Sequence, residues 1–350
     1  MRSLIRVLTL PLALCLLAAA PDAPPPILPL VAAGPAKDLV RKILLKPYAE
    51  ATGTALADPA WDGSQEALKA LSVAHGADIA LLDAPSLAAA CRAQIVLKLD
   101  WSGLGRDRFL PMAASDCGAG AFVSSTVLAW DRDKLQGAPD GVPTWSDFWD
   151  VAKHPGRRGL RRGARGNLEI ALMADGVAPG DVYRTLRTAQ GVDRAFRKLD
   201  QLRPYILWWD QPSQPAQLLM TAKVLMTSLP SGFIPAASRT PGGHPAPIGV
   251  QWSGSLQEAT SWAILSNAQH VPACLVAIVI ATDPARQAEF AKATALGPAT
   301  RPALALLPPD AQAASPSLGA HLAAGLTIDE GFWLDNAARL DARFAAWIGK

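Results

Sequence analysis

Between Ile27 and Gln94 the chain repeats one unit three times: an apolar run, then a segment with apolar residues at helical spacing. ILPLVAAG ends on Gly34, and PAKDLVRKILLKPYAEATG then starts with proline and carries Leu39, Ile43, Leu44 and Tyr48 on one face. TALADPAW followed by SQEALKALSVAHG repeats the pair, with Trp61 to Ser64 as the turn, and ADIALLD followed by APSLAAACRAQ repeats it again. Strand and helix alternating at this pace predict an α/β fold with a mostly parallel sheet and right-handed crossovers. Ligands of such sheets sit at the carboxyl ends of the strands, so the candidate loops are Gly34-Pro35, Trp61 to Ser64 and Asp83 to Ser86.

A longer strand follows. In SDCGAGAFVSSTVLAWDRDKL the stretch from Phe122 to Trp130 alternates like a buried strand and feeds a region with its own elements. There TWSDFWDVAKHPGRRGL is amphipathic and ends in a turn, and NLEIALMADG is a helix closed by Gly176. The run APGDVYRTLRTAQGVDRAFRKLDQLRP gives two charged surface helices, and ILWWD gives a short strand. IGVQWSGSLQEATSWAIL is long enough to cross back, with Gln257 to Leu265 as the return. The stretch from Val271 through TDPARQAEFAKATAL reads as helical, GPATRPALALLP as a proline-rich loop, and FWLDNAARLDARFAAWIG as a closing amphipathic helix. Two α/β lobes joined by two crossing strands describe a trap that bends at a few hinge residues. The expected lobes are 27–122 plus 262–350, and 123–261.

At 350 residues, 50% of them hydrophobic, the chain can fill two domain cores. Residues 1–20 read as a signal peptide: Arg2 and Arg6, then LTLPLALCLLAAA, too short to span a bilayer and ending on small residues. No later apolar run reaches spanning length, since VPACLVAIVIATDPA is broken by Asp283 and Pro284. Export leaves Cys91, Cys117 and Cys274 where a disulfide persists. We favour Cys91 with Cys117, leaving Cys274 buried and free, although one sequence does not fix connectivity. The net charge of +3 is too slight for a nucleic-acid partner. The one basic cluster, RRGLRRGAR from Arg157 to Arg165, reads as a solvated turn before a helix or, alternatively, as an anion site at that helix's N-terminus.

On SDCGAG with STVLAWDRDKL, TWSDFWDVAKHPGRRGLRRGA, LEIALMADGVAPGDVY, GVDRAFRKLDQLRPYILWWD and SWAIL, the chain resembles the periplasmic solute-binding proteins of ABC importers, within them the spermidine/putrescine-binding group. The resemblance covers Ile27 to Leu307 and is most specific from Thr144 to Asp210. It implies a two-lobed type II periplasmic binding protein, monomeric, located in the periplasm, which captures a small organic solute and delivers it to an inner-membrane permease. The group binds amines through acids and an aromatic box. Here Ser124 stands where the first crossing strand often has an aromatic, Ser228-Leu229-Pro230 replaces another, Thr260 stands where a carboxylate is expected, and Gly163 and Arg165 occupy a loop that can carry acids. A dication would find too little negative charge to offset its desolvation.

Near the expected cleft stand Trp61, Ser64, Asp83, Ser124, Ser125, Arg165, Trp209, Asp210, Ser228, Trp252, Glu258 and Thr260. This mixed set suits an amine or zwitterion, with arginine for a carboxylate, glutamate for an amine and tryptophan as a wall. Plainer readings compete: Trp208 and Trp209 alternate across a strand, so one belongs to the core, and Asp210 could cap the turn into Gln211-Pro212. Glu258 resists the plain reading, because a carboxylate in an apolar hinge strand is costly without a partner.

Catalytic patterns do not emerge. There is no Gly-x-Ser-x-Gly elbow, no HExxH, and no Walker loop or GxGxxG after a strand; the SDCGAG glycines precede theirs. His75, His154, His244, His270 and His321 show no metal-ligand spacing, and Tyr48, Tyr183 and Tyr205 are not paired. The expectation is a binding protein without metal or cofactor. The alternatives are a sensory subunit without a transport role and, last, a hydrolytic enzyme on the same scaffold.

Overall fold

A computed structural model describes residues 26–34, 36–54, 56–74, 76–135, 142–238 and 248–349. The expected signal peptide, Pro35, His75 and His244 lie outside the described residues. The strands are β1 (Pro29–Val31), β2 (Ile79–Leu82), β3 (Ala119–Asp131), β4 (Arg158–Arg161), β5 (Ile206–Trp209), β6 (Met226–Pro230), β7 (Ile248–Ile264), β8 (Gly297–Pro298) and β9 (Leu326–Thr327). They join in the order β1-β2-β7-β3-β6-β4-β5, with β8 beside β3 and β9 beside β7.

The first and third repeats form as read: β1 and β2 are parallel, with Pro29 opposite Ile79. The second does not, because the described residues of TALADPAW make no strand. Its carbonyls are taken from the side, since the Arg41 guanidinium donates to Ala57 O at 3.1 Å and Leu56 O at 3.2 Å. Asp58 pairs with Lys37 at 2.9 Å, and Pro59 has no N–H for a ladder. Pro47 likewise cannot give Ile43 a hydrogen bond. Within the Lys37–Thr52 helix the turn from Val40 to Leu45 widens, and Lys46 N–H donates five residues back to Arg41 O.

β3 and β7 are antiparallel along their length, from Ala119 opposite Trp262 to Asp131 opposite Ile248, with register breaks at Gly120/Phe122 and Thr126/Leu128. At one end they adjoin β2 and at the other β6. They are the two expected crossings. Between Phe122 and Thr126 the odd residues of β3 are buried and the even ones half-buried, and Glu258 and Thr260 of β7 show the same half exposure. One face of the ribbon, Phe122, Ser124 and Thr126 with Thr260 and Glu258 opposite, is therefore open toward a gap, and the buried Leu256 opposite Thr126 closes its far end.

Separate cores flank the ribbon. Val40, Leu44, Tyr48, Phe109, Trp262, Ile278 and Phe290 pack in one, and Phe148, Leu160, Leu168, Leu172, Phe196 and Leu199 in another. The closing helix Glu330–Ile348 puts Phe332, Trp333, Leu340, Phe344 and Trp347 into the second cluster, whereas its place in the sequence suggested the first lobe. Trp208 meets Phe344 and Trp347 there edge-on, half-buried at the border of the cluster, whereas Trp209 is itself buried, so both belong to packed surroundings. The helical run after Val271 is two helices, Val271–Ala281 and Pro284–Thr294, divided at Asp283, whose carboxylate accepts from Ala285 and Arg286 N–H. The expected loop after it holds β8 and a short helix, Arg301–Ala305. Cys91 and Cys117 form the disulfide, and burial pushes the free thiol of Cys274 up to about 12.

Candidate functional site: a cleft across the paired strands

On the side of β1 and β2 lies a hollow of about 220 Å³, lined by Trp61, Gly63, Asp83, Ser86, Phe122 and Thr260. The Trp61 indole N–H donates to Ser64 O at 3.1 Å, which fixes the ring in the wall. Asp83 caps the helix Ala84–Arg92 by accepting from Ser86 N–H at 2.9 Å. A strand ending on an aspartate that caps the next helix thus places a carboxylate at the strand's carboxyl end.

On the other side a hollow of about 40 Å³ is bounded by Arg165, Asn167, Trp209, Ser228, Glu258 and Ile328. That volume holds little more than a water molecule, because an ion cluster fills the space. Arg165 sits on the loop between β4 and the helix Asn167–Ala174. The loop is held by its own neighbours: Asn167 Nδ2 donates to Arg161 O at 2.6 Å and Gly163 O at 2.7 Å. Gly166, with φ of +86°, gives its N–H to Glu169 at 2.8 Å.

Glu169 is fully buried and also accepts from Tyr183 Oη at 2.8 Å and Trp333 Nε1 at 2.7 Å. Burial raises its pKa, against the pull of these donors and of Arg165. The Trp333 ring lies 6.0 Å from the Arg165 guanidinium carbon.

The guanidinium of Arg165 donates through Nη1 to Glu330 Oε2 at 2.9 Å, through Nη2 to Glu330 Oε1 at 2.5 Å, and through Nη2 to Glu258. Burial alone would lower the Arg165 pKa, but the hydrogen bonds and charges of Glu330 and Glu258 outweigh it and the net shift is upward. Burial raises the Glu330 carboxyl, and repulsion from Glu258 and Asp83 adds to that rise, against the pull of Arg165. One cation is therefore ringed by more negative charge than it neutralises. Trp209 is 3% exposed, and its indole N–H has no acceptor among the described residues. An unpaired buried donor is costly, and a ligand oxygen would relieve it.

Of the residues singled out in the sequence, Trp61, Asp83 and Thr260 line the first hollow, and Arg165, Trp209, Ser228 and Glu258 the second. Ser124, opposite Glu258, lies between them on the open face of the ribbon. Four do not join. Ser125 is 3% exposed and, one position on from Ser124, lies on the opposite face. Trp252 stacks on His321 at 4.3 Å, in the segment whose carbonyls Gln257 holds from that same back face. Ser64 Oγ is occupied in accepting from Ala67 N–H at 3.1 Å. Asp210 pairs on the surface with Arg162 at 3.1 Å.

The basic run is solvated at Arg157, Arg161 and Arg162, but not at the other two arginines. Arg158 is fully buried in β4, donating to the carbonyls of Phe148, His154 and Gly156 at 2.7, 2.7 and 2.8 Å. Nor is Arg165 wholly open to an anion: Glu330 and Glu258 hold Nη2 and one Nη1 hydrogen, which leaves Nε–H and the other Nη1 hydrogen uncommitted. Glu330 was missed. The signal was Asp329-Glu330 at the start of an amphipathic run, which reads as ordinary capping acid until the helix is seen to lie over the Arg165 loop.

A two-lobed sheet with its open face at the crossing strands and a charged cleft there defines a small-solute binder. The chain belongs to the bacterial extracellular solute-binding protein family, whose model matches residues 44–318. It is 34% identical over 320 residues to the gamma-aminobutyric acid-binding protein of Pseudomonas aeruginosa, covering 91% of this chain and 89% of that one. Among solved structures, the Atu4243-GABA receptor is similar with a TM-score of 0.79 and 25% identity, over 92% of this chain and 98% of the other. An ABC transporter substrate-binding protein from Bradyrhizobium japonicum USDA 110 gives 0.78 and 28%, over 91% and 98%. The fold is that of type II periplasmic binding proteins, and the proteins it resembles here bind solutes.

Proposed function

We propose that this chain is the periplasmic solute-binding component of an ABC importer and that its solute is a short ω-amino acid of the γ-aminobutyrate (GABA) class. The carrying observation is Arg165 set between Glu258 and Glu330 at the crossing strands, with Asp83 across the gap. A zwitterion enters such a cluster without changing its net charge. Its ammonium group is received by Glu258 and Asp83. Its carboxylate is received by the Arg165 N–H groups that the two glutamates leave free and by the unpaired Trp209 indole N–H. Trp61 and Phe122 supply the apolar wall for the methylene chain. The GABA ligand of the 34% identical relative fits this division. A diamine fits it less well, because its second ammonium would face Arg165.

In this reading the lobes are the two packed clusters, with the closing helix assigned to the second, and β3 and β7 are the hinge. A solute that touches both lobes favours the closed form by its differential contacts, and the closed form docks on the permease. No covalent step is involved, and residues 1–20 direct export. The test is isothermal titration of the purified chain with GABA, β-alanine, putrescine and glutamate. GABA or β-alanine is expected to bind at micromolar or tighter concentration, about −8 kcal/mol. Binding of putrescine with no heat from either ω-amino acid would overturn the assignment.

A further inference from the structure

Glu330 lies beyond the residues matched by the family model, at the first position of the closing helix. Both of its oxygens rest on the outer edge of the Arg165 guanidinium, at 2.9 and 2.5 Å, whereas Glu258 touches Nη2 alone. The paired contact is the stronger geometry for an arginine and a carboxylate. The Glu330 side chain is 19% exposed against 32% for Glu258, so it is the more deeply set of the two. Its helix is tied to the same loop at two more points: Trp333 donates to Glu169 at 2.7 Å, and Asp341 accepts from Ala164 N–H at 3.3 Å. The pairing is thus part of the packed lobe and not a chance meeting of surface side chains. Glu330 neutralises the guanidinium and leaves Glu258 as surplus negative charge.

We propose that Glu330 sets the charge selectivity of the cleft: by neutralising Arg165 it leaves the negative charge of Glu258 uncompensated, so that an anion bringing no ammonium group is repelled. The cleft then admits ω-amino acids and turns away simple carboxylates of the same length. This rests on the reading of the cleft given above. Selectivity of this kind works by a repulsive element as much as by an attractive one, and the repulsive element here is the protein's own carboxylate.

The test titrates GABA, butyrate and n-butylamine into the full wild-type chain and into Glu330→Gln. Wild type is expected to bind GABA and to give no measurable heat with butyrate. Glu330→Gln is expected to gain butyrate affinity by about tenfold or more, since a charged competitor has been removed from the arginine. A structural role alone would weaken every ligand and strengthen none. Glu330→Ala, which removes the carboxylate outright, carries the same expectation should the glutamine variant not fold. GABA binding to wild type with no gain for butyrate in the folded variant overturns this inference alone. Failure of wild type to bind any ω-amino acid overturns the reading of the cleft and the inference together.

Discussion

Asp329 and Glu330 are neighbours in the chain, and their carboxyls titrate in opposite directions. Burial pulls both upward, but for Asp329 the Phe332 N–H and the Arg187 guanidinium outweigh it, and its pKa falls below the ordinary value. For Glu330 burial, with repulsion from Glu258 and Asp83 added to it, leaves the net shift upward. The stability from Asp329 is therefore present above the usual carboxylate range and lost as pH falls through its lowered value. That from protonating Glu330 is present at low pH and lost as pH rises through its raised one. Asp329→Ala should cost about 1 kcal/mol at neutral pH, the usual worth of such a cap, with the difference shrinking as acid protonates the wild-type carboxylate. Urea unfolding of both proteins at pH 7 and near pH 2 reads this; a difference that does not shrink shows the cap acts without its charge. At this scale the sequence named Trp61 and Asp83 because each stands in a loop at the carboxyl end of an expected strand, and Glu258 because a carboxylate in an apolar strand is costly without a partner. It could not separate Ser124 from Ser125. Alternation puts them on opposite faces, but which face is open depends on helices far away in the chain.

The disulfide is the element whose loss is simplest to predict. It joins the helix Ala84–Arg92 to the residues just before β3, a sequence separation of 26. Closing a loop of that size in the unfolded chain is worth roughly 3 kcal/mol. Replacing both cysteines by alanine should lower unfolding stability by about that amount while leaving solute affinity within a few fold, because neither cysteine lines the cleft. Equilibrium unfolding and titration of the same variant check both halves, and a large loss of affinity would show that the bridge also holds the Asp83 loop. Elements with strong periodicity were legible: the two crossing strands and the closing helix are where the pattern put them, and the Asn167–Ala174 helix, buried on nearly every side, was legible as an apolar run closed by Gly176. TALADPAW was not, since its fate is decided by an arginine side chain in the preceding helix rather than by its own residues. Local pattern carries no information about who will occupy a carbonyl.

For the whole molecule, β3 and β7 are continuous strands shared by both halves, and two register breaks interrupt their ladder. Bending is expected to concentrate at these interruptions, where pairing is already loosened. Saturating GABA should reduce the radius of gyration in solution scattering, and a radius that stays constant while GABA binds would mean the lobes do not close. The two-lobed design was legible because two long strands with α/β sequence on both sides have few other solutions. The side taken by the closing helix was not: its apolar stripe suits either core, and only the fit of Phe344 and Trp347 around Trp208 decides.

That helix also fixes an order of assembly. A chain growing from its amino end holds the crossing strands and the Arg165 loop well before Glu330 exists. A product cut short ahead of that point would lack Trp333, Phe344 and Trp347 in its second core and would leave Arg165 to Glu258 alone. Completion of the second core and completion of the charge balance around Arg165 therefore fall to the same helix.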